Sequence, residues 1–253
     1  MKSIPTIVIL FAGTCLFFSC KKESPSVKEE VLLIKASGNI QDDVEAFKNM
    51  LGPLNTTPNA TSGHREINWE GVPDSLLNKP LPGDFFNQTG DNALASLQKG
   101  ITYASTGNFV VSSDGFSSIN NETSSQFTAF SGTKTFANTT AAKWEISFQK
   151  AGTTESAFVQ AFGLVFSDVD KDSSTSFELF NGIKSLGTYF VPAHDAASNF
   201  SFVGVNFTNN ERITSVTVSH DGFLTEGTDD VSNGGARDLV VLDDFIFSEP
   251  VAQ

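Results

Sequence analysis

The chain has 253 residues, with 16 Lys+Arg against 29 Asp+Glu and a formal net charge of −13. That balance argues against nucleic acid and anionic membrane surfaces as partners, and it is compatible with divalent cations or with plain solubility. The two cysteines, Cys15 and Cys20, both lie near the N-terminus, so neither a disulfide nor thiol chemistry is expected in the folded domain.

The chain opens with Met1-Lys2, an apolar run from Ile4 to Phe18, and Ser19-Cys20. A short basic start, an apolar stretch and a small residue before the cut make residues 1–19 read as a secretory signal peptide. Bacterial lipoproteins are cut just before a cysteine that then carries the lipid, palmitate included. Cys20 is therefore the expected lipidation site, although Phe17 and Phe18 depart from the usual Leu and small residue there. A membrane-spanning helix needs about 20 apolar residues, more than this run supplies. The expected location is the cell envelope, periplasmic or at the cell surface, with a lipid anchor in a membrane as the one membrane contact.

Residues 20–38 read as the lipidated tether, beginning Lys21-Lys22-Glu23-Ser24-Pro25. Residues 39–62 read as a short helix and a loop. Asp42 and Asp43 suit the positive N-terminal end of a helix over 41–51, Val44, Phe47 and Leu51 share one face, and Gly52-Pro53 stops it. Residues 63–249 read as one β domain. Segments 109–112, 126–130, 143–148, 157–169, 175–180, 185–191, 199–207, 212–219 and 238–247 are strand-like. Asp114-Gly115, Asn181-Gly182 and Asp221-Gly222 supply turns. Segments 158–166 and 239–247 are apolar on both faces, which places them centrally in a covered layer. The 24 Phe against two Trp and two Tyr suit a dry interior between two sheets, since Phe has no polar atom to satisfy. The expected fold is all-β, a jelly-roll or β-sandwich with a short N-terminal helix.

Asp243 and Asp244 interrupt an otherwise apolar strand. A buried unpaired carboxylate costs several kcal/mol, and three solutions compete: a bulge that frees one Asp to water, an ion pair with Arg65, Arg212 or Arg237, or a structural calcium ion. Asp168 and Asp170, in the run Asp168-Val169-Asp170-Lys171-Asp172, could face one cation. The EF-hand pattern fails at Ser173 and Leu179, however, so a solvated turn is the preferred reading. Trp69 between Asn68 and Glu70, with Tyr103, forms the candidate glycan-binding set, against which stands a purely structural role for the segment 63–74. His64, His194 and His220 lack zinc spacing, and no nucleophile elbow, phosphate loop or dinucleotide loop is present. No cofactor other than a structural calcium is suggested.

Residues 63–74, Gly63-His64-Arg65-Glu66-Ile67-Asn68-Trp69-Glu70-Gly71-Val72-Pro73-Asp74, are followed by Leu81-Pro82-Gly83-Asp84-Phe85-Phe86-Asn87. Together they resemble a "GRREINWDGVPD … PADFFN" pattern of uncharacterised secreted bacterial proteins. Residues 162–170, 185–192 and 241–246 extend the resemblance over most of the chain. Some of those relatives resemble proteins with a C-terminal PEP-CTERM sorting tail. No such tail is expected after the last strand here, and Cys20 is expected to supply the anchor. The resemblance implies a fold and no activity. The expected function is a lipid-anchored binding module rather than an enzyme, with an extracellular glycan as the leading ligand. A structural surface protein without ligand and a glycoside hydrolase or lyase are the alternatives.

Overall fold

The computed structural model describes residues 31–104, 107–194, 198–225, 227 and 229–253. The signal peptide, Cys20 and the first part of the expected tether lie outside the described residues.

In chain order the elements are β1 (Val31–Ser37), α1 (Gln41–Leu51), β2 (His64–Ile67), β3 (Ile101–Ala104), β4 (Phe109–Ser112), β5 (Thr135–Asn138), β6 (Lys143–Phe148), β7 (Ala157–Phe158), β8 (Ala161–Ser167), β9 (Ser176–Asn181), β10 (Lys184–Phe190), β11 (Phe200–Phe207), β12 (Ser215–Ser219), β13 (Val241–Ser248) and β14 (Val251–Ala252). The first sheet runs β1-β11-β8-β13-β5-β4, with β2 also paired to β13, and the second runs β10-β9-β12-β6-β3. Every described pairing within them is antiparallel, and the two sheets pack face to face as a β-sandwich.

Three apolar layers hold the molecule together. Phe162, Leu164 and Phe166 of β8, with Phe245 and Phe247 of β13, meet Trp144, Ile146, Phe177, Leu179, Val216 and Val218 of the second sheet. On the outer face of the first sheet, Val44 and Phe47 of α1 cover Ala161, Val165, Phe202 and Ile246. Beside α1, loop residues Phe116, Phe127, Leu224 and Leu239 cover Val110, Ala137 and Val241. This double cover is why β8 and β13 are apolar on alternate positions of both parities, and both are central as expected.

The seat for α1 is made of glycine. Gly163 and Gly204 face each other across the β8–β11 pair. A Cβ on Gly204 would lie 2.7 Å from Phe47 Cδ2, and one on Gly163 would lie 2.8 Å from Phe47 Cε1. Only a side chain of no volume lets the Phe47 ring reach the sheet there.

Several expectations change. Residues 31–37 are not tether but an edge strand, paired residue for residue with β11 from Val31↔Phe207 to Ser37↔Ser201. Segment 126–130 is not a strand; Phe127 and Phe130 turn inward from an irregular loop. The stretch 157–169 breaks at Val159-Gln160, where β7 leaves for its own pairing with β14. The Asn181-Gly182 hairpin is present, with Asn181 opposite Lys184.

Gly204→Ala should destabilise the protein by about 1–3 kcal/mol through overpacking. In a Phe47→Ala background the same change should cost clearly less, since the main obstructing ring is gone. Urea denaturation of the four variants measures both; equal costs in the two backgrounds would show that Phe47 does not sit on the glycine pair.

Candidate metal centre

Trp69 and Tyr103 are not a ligand platform. Trp69 is fully buried, its ring stacked on Phe136 at 4.0 Å between centroids and edge-on to Phe245 at 5.0 Å. Tyr103 is buried in the same aromatic cluster. The reason lies in Asp243-Asp244. The pairing of β13 with β8 jumps from Leu242↔Phe166 to Phe245↔Leu164, so an extra residue bulges out of β13. The bulge leaves the Asp243 carbonyl outside the β-ladder, and Trp69 Nε1 donates to it at 2.8 Å. Trp69 holds a positive φ of 65° to reach it, an uncommon conformation for a bulky residue. Asn68 and Glu70 are exposed, but Glu70 accepts hydrogen bonds from the backbone N–H groups of Thr133 at 2.7 Å and Lys134 at 2.9 Å. Of the four expected glycan residues, two are core and one fastens a loop.

The bulge does not free an Asp to water. Both side chains are buried, facing α1 and the loop after Phe127. Asp243 accepts from the backbone N–H groups of Phe130 and Ser131, and Ser131 Oγ donates to Asp244. The expected arginine is replaced by Lys48 of α1, whose Nζ lies 3.7 Å from Asp244 and 3.2 Å from Glu66. Glu66 meets His64 Nε2 at 2.7 Å, and His64 Nδ1 faces the Gly52 carbonyl at 2.7 Å. A lysine ammonium, backbone donors and the Ser131 hydroxyl thus serve Asp243 and Asp244, and Asp243 Oδ1 is left without a donor among the described residues. Burial, and then the neighbouring Asp244 carboxylate, push the Asp243 carboxyl up to about 8. A carboxyl raised in this way favours its neutral form, which lowers the cost of hiding two adjacent carboxylates.

Asp168 and Asp170 do come together, at the far end of β8, and with partners that the sequence did not join to them. Asp168 follows β8 directly, with a positive φ of 70°. Its backbone N–H donates to the Asn199 carbonyl at 2.8 Å, while His194 N donates to the Val169 carbonyl at 2.7 Å. These bonds bring the loops after β8 and β10 together, and His194 Nε2 sits 3.0 Å from Asp170 Oδ1 and 3.7 Å from Asp168 Oδ1. Two more carboxylates arrive from the segment before β13. Asp238 caps the 170–174 turn, accepting from Asp170 N at 3.1 Å, Lys171 N at 2.9 Å and Ser174 Oγ. Asp230 accepts from Leu239 N at 2.8 Å and from Ser232 Oγ at 2.6 Å.

The result is a charge-imbalanced cluster. Asp168, Asp230 and Asp238 are buried and Asp170 is half-buried. Among the described residues, the ion pairs of these four carboxylates involve only His194. The nearby Lys171 and Arg237 are both engaged by Asp221, at 3.2 Å each. Asp168 is only 4% exposed, yet its Oδ2 has no hydrogen-bond donor among the described residues, and neither does Asp170 Oδ2. Burial first, then the charges of Asp170 and Asp230, push the Asp168 carboxyl up to about 7. Burial and Asp230 push Asp170 upward as well. The potential donor atoms of Asp168, Asp170 and His194 lie within 4.8 Å of one another, and so do those of Asp170, Asp230 and Asp238. Oxygen-rich donors at that spacing match the diameter of a shell around a hard divalent cation.

A second feature lies at the opposite pole. A cleft of about 320 Å³ opens between the end of α1, the end of β11 and the β7–β14 pair. Its lining includes Met50, Gln160, Asn206, Phe207, Asn210 and Val251, and its one carboxylate, Glu249, is held by Arg65 at 2.7 Å.

Compared with models of protein families, with curated proteins and with solved structures, the chain matches none.

The raised Asp243 carboxyl fixes a sign. Between the ordinary carboxylate range and about pH 8 the folded chain keeps a proton that the unfolded chain has released. The stability from this group is full in acid and is lost as the pH rises through that window. Asp243→Asn, which mimics the neutral acid, should gain on the wild type as the pH rises, by at most about 1.4 kcal/mol per pH unit. Urea midpoints of both proteins across the window measure the difference; a difference that does not change with pH would mean that Asp243 is ionised in the folded chain.

Proposed function

We propose that this chain is a cation-dependent binding module of the bacterial cell envelope, attached to a membrane through a lipid on Cys20 and taking an extracellular glycan as ligand. The observation that carries the cation is Asp168 Oδ2, buried without a donor among the described residues and clustered with three other carboxylates. A divalent cation bound there would satisfy that oxygen, offset the repulsion that adds to burial in raising Asp168 and Asp170, and clamp the loops after β8 and β10 to the segment before β13.

The binding reading is supported by the cleft. Its lining combines amide groups with apolar side chains, and the single carboxylate there is already paired. Such a surface suits an uncharged polar ligand, and its volume falls in the usual range for small-ligand sites. The same lining argues against glycoside hydrolysis, which requires two carboxyl groups facing each other across the substrate. The expected glycan contacts therefore move from Trp69 and Tyr103 to Gln160, Asn206 and Asn210.

Calcium at about a hundred times its Kd should stabilise the protein by about 2.7 kcal/mol, and EDTA should reverse the gain. Asp170→Asn, at the residue common to both donor sets, should lose most of that calcium-dependent gain. A wild-type melting curve indifferent to both reagents would sink the cation reading. For the ligand, a glycan array probed with the calcium-loaded domain should give hits that weaken about tenfold in Gln160→Ala and Asn210→Ala, the loss of roughly one good hydrogen bond each. An array without signal would overturn the glycan reading.

A further inference from the structure

The acidic centre contains two overlapping sets of converging donors. Asp170 belongs to both sets of converging donors, one with Asp168 and His194 and the other with Asp230 and Asp238, and no set contains all five residues. A cation with oxygen ligands at about 2.3–2.6 Å spans up to about 5.2 Å from ligand to ligand, and each of the two sets fits that span by itself. Charge leads to the same count. Four carboxylates within one buried region carry four negative charges when ionised, and the nearest Lys171 and Arg237 are committed to Asp221. One divalent cation leaves half of that charge uncompensated, whereas two neutralise it. The oxygens without donors fit this arrangement as well. Asp168 Oδ2 is buried and free in the first set, and Asp170 Oδ2 is free on the residue the two sets share.

The two sets differ in chemistry. Asp170, Asp230 and Asp238 offer only carboxylate oxygens, the donors of calcium. Asp168, Asp170 and His194 add an imidazole, which suits zinc and similar transition ions and which calcium does not favour.

We propose that the centre holds two different divalent cations bridged by Asp170: calcium among Asp170, Asp230 and Asp238, and a transition ion such as zinc among Asp168, Asp170 and His194. The proposal rests on the cation reading above and extends it to a paired site. Calorimetric titration of the whole protein with Ca²⁺, followed by Zn²⁺ titrated into the calcium-loaded protein, tests it. The expected result is one calcium and one further zinc per chain, with calcium retained. Asp230→Asn should weaken the calcium step at least tenfold and spare the zinc step. His194→Gln should do the reverse, and Asp170→Asn should weaken both. If zinc displaces calcium one for one, the paired arrangement is overturned while the single-cation reading stands. If neither ion binds, both are overturned.

Discussion

Strands β8 and β13 bury both of their faces, and the rest of the molecule is arranged to cover them. One face forms the inter-sheet core; the other would expose Ala161, Val165, Val241 and Ile246 to water if α1 and the long loops did not lie over it. A buried strand also offers no route to solvent for a polar side chain. The bulge at Asp243-Asp244 is therefore where the fold is most demanding. It shifts the side-chain alternation so that Leu242 and Phe245 both face the core, and it hands the two carboxylates to the layer beneath α1. Trp69 closes the gap on the core side through the Asp243 carbonyl, and Ser131 and Lys48 close it on the helix side. A sandwich sheet, an outer helix and a surface loop are thus tied at one point, by polar contacts that an apolar core could not make directional.

That tie explains which parts of the fold were legible. The helix over Gln41–Leu51 could be read in full because its apolar spacing, acidic first turn and Gly-Pro stop agree with one another. The two central strands were legible as apolar runs of both parities. Strand β1 was not, since Val31–Ser37 follows a polar segment and lacks alternation; its pairing with β11, not its own pattern, makes it a strand. Strand β2 hid for the opposite reason. His64-Arg65-Glu66 looks like surface, yet Arg65 is fully buried, its guanidinium bonded to Glu249 and to the Thr57 and Gln98 carbonyls. Trp69 misled because a tryptophan between Asn and Glu has the composition of a sugar platform, and only the bulge reveals that its indole N–H is needed inside.

The acidic centre was half legible. Asp168 and Asp170 stand two apart after a strand, which is a visible pattern, and an ordinary turn remains the economical reading of that pattern alone. Asp230, Asp238 and His194 come from loops far along the chain, and no local signal joins them. A weak hint exists in retrospect: each follows or precedes a buried strand, at the same end of the sandwich. Topology brings together residues there that spacing cannot.

The way β1 is attached has a mechanical consequence. Its first residue, Val31, pairs with Phe207 at the pole that holds the cleft, while the acidic centre sits beyond the other end of β11. The strand is an edge strand, joined along its length to β11 alone. A pull applied to the chain before Val31, and resisted by something held at the acidic pole, runs along the strand axis and loads the whole β1–β11 ladder in shear, so its hydrogen bonds must yield together. The same pull applied sideways would peel them one at a time from Val31. The domain would thus resist load far better along its strands than across them.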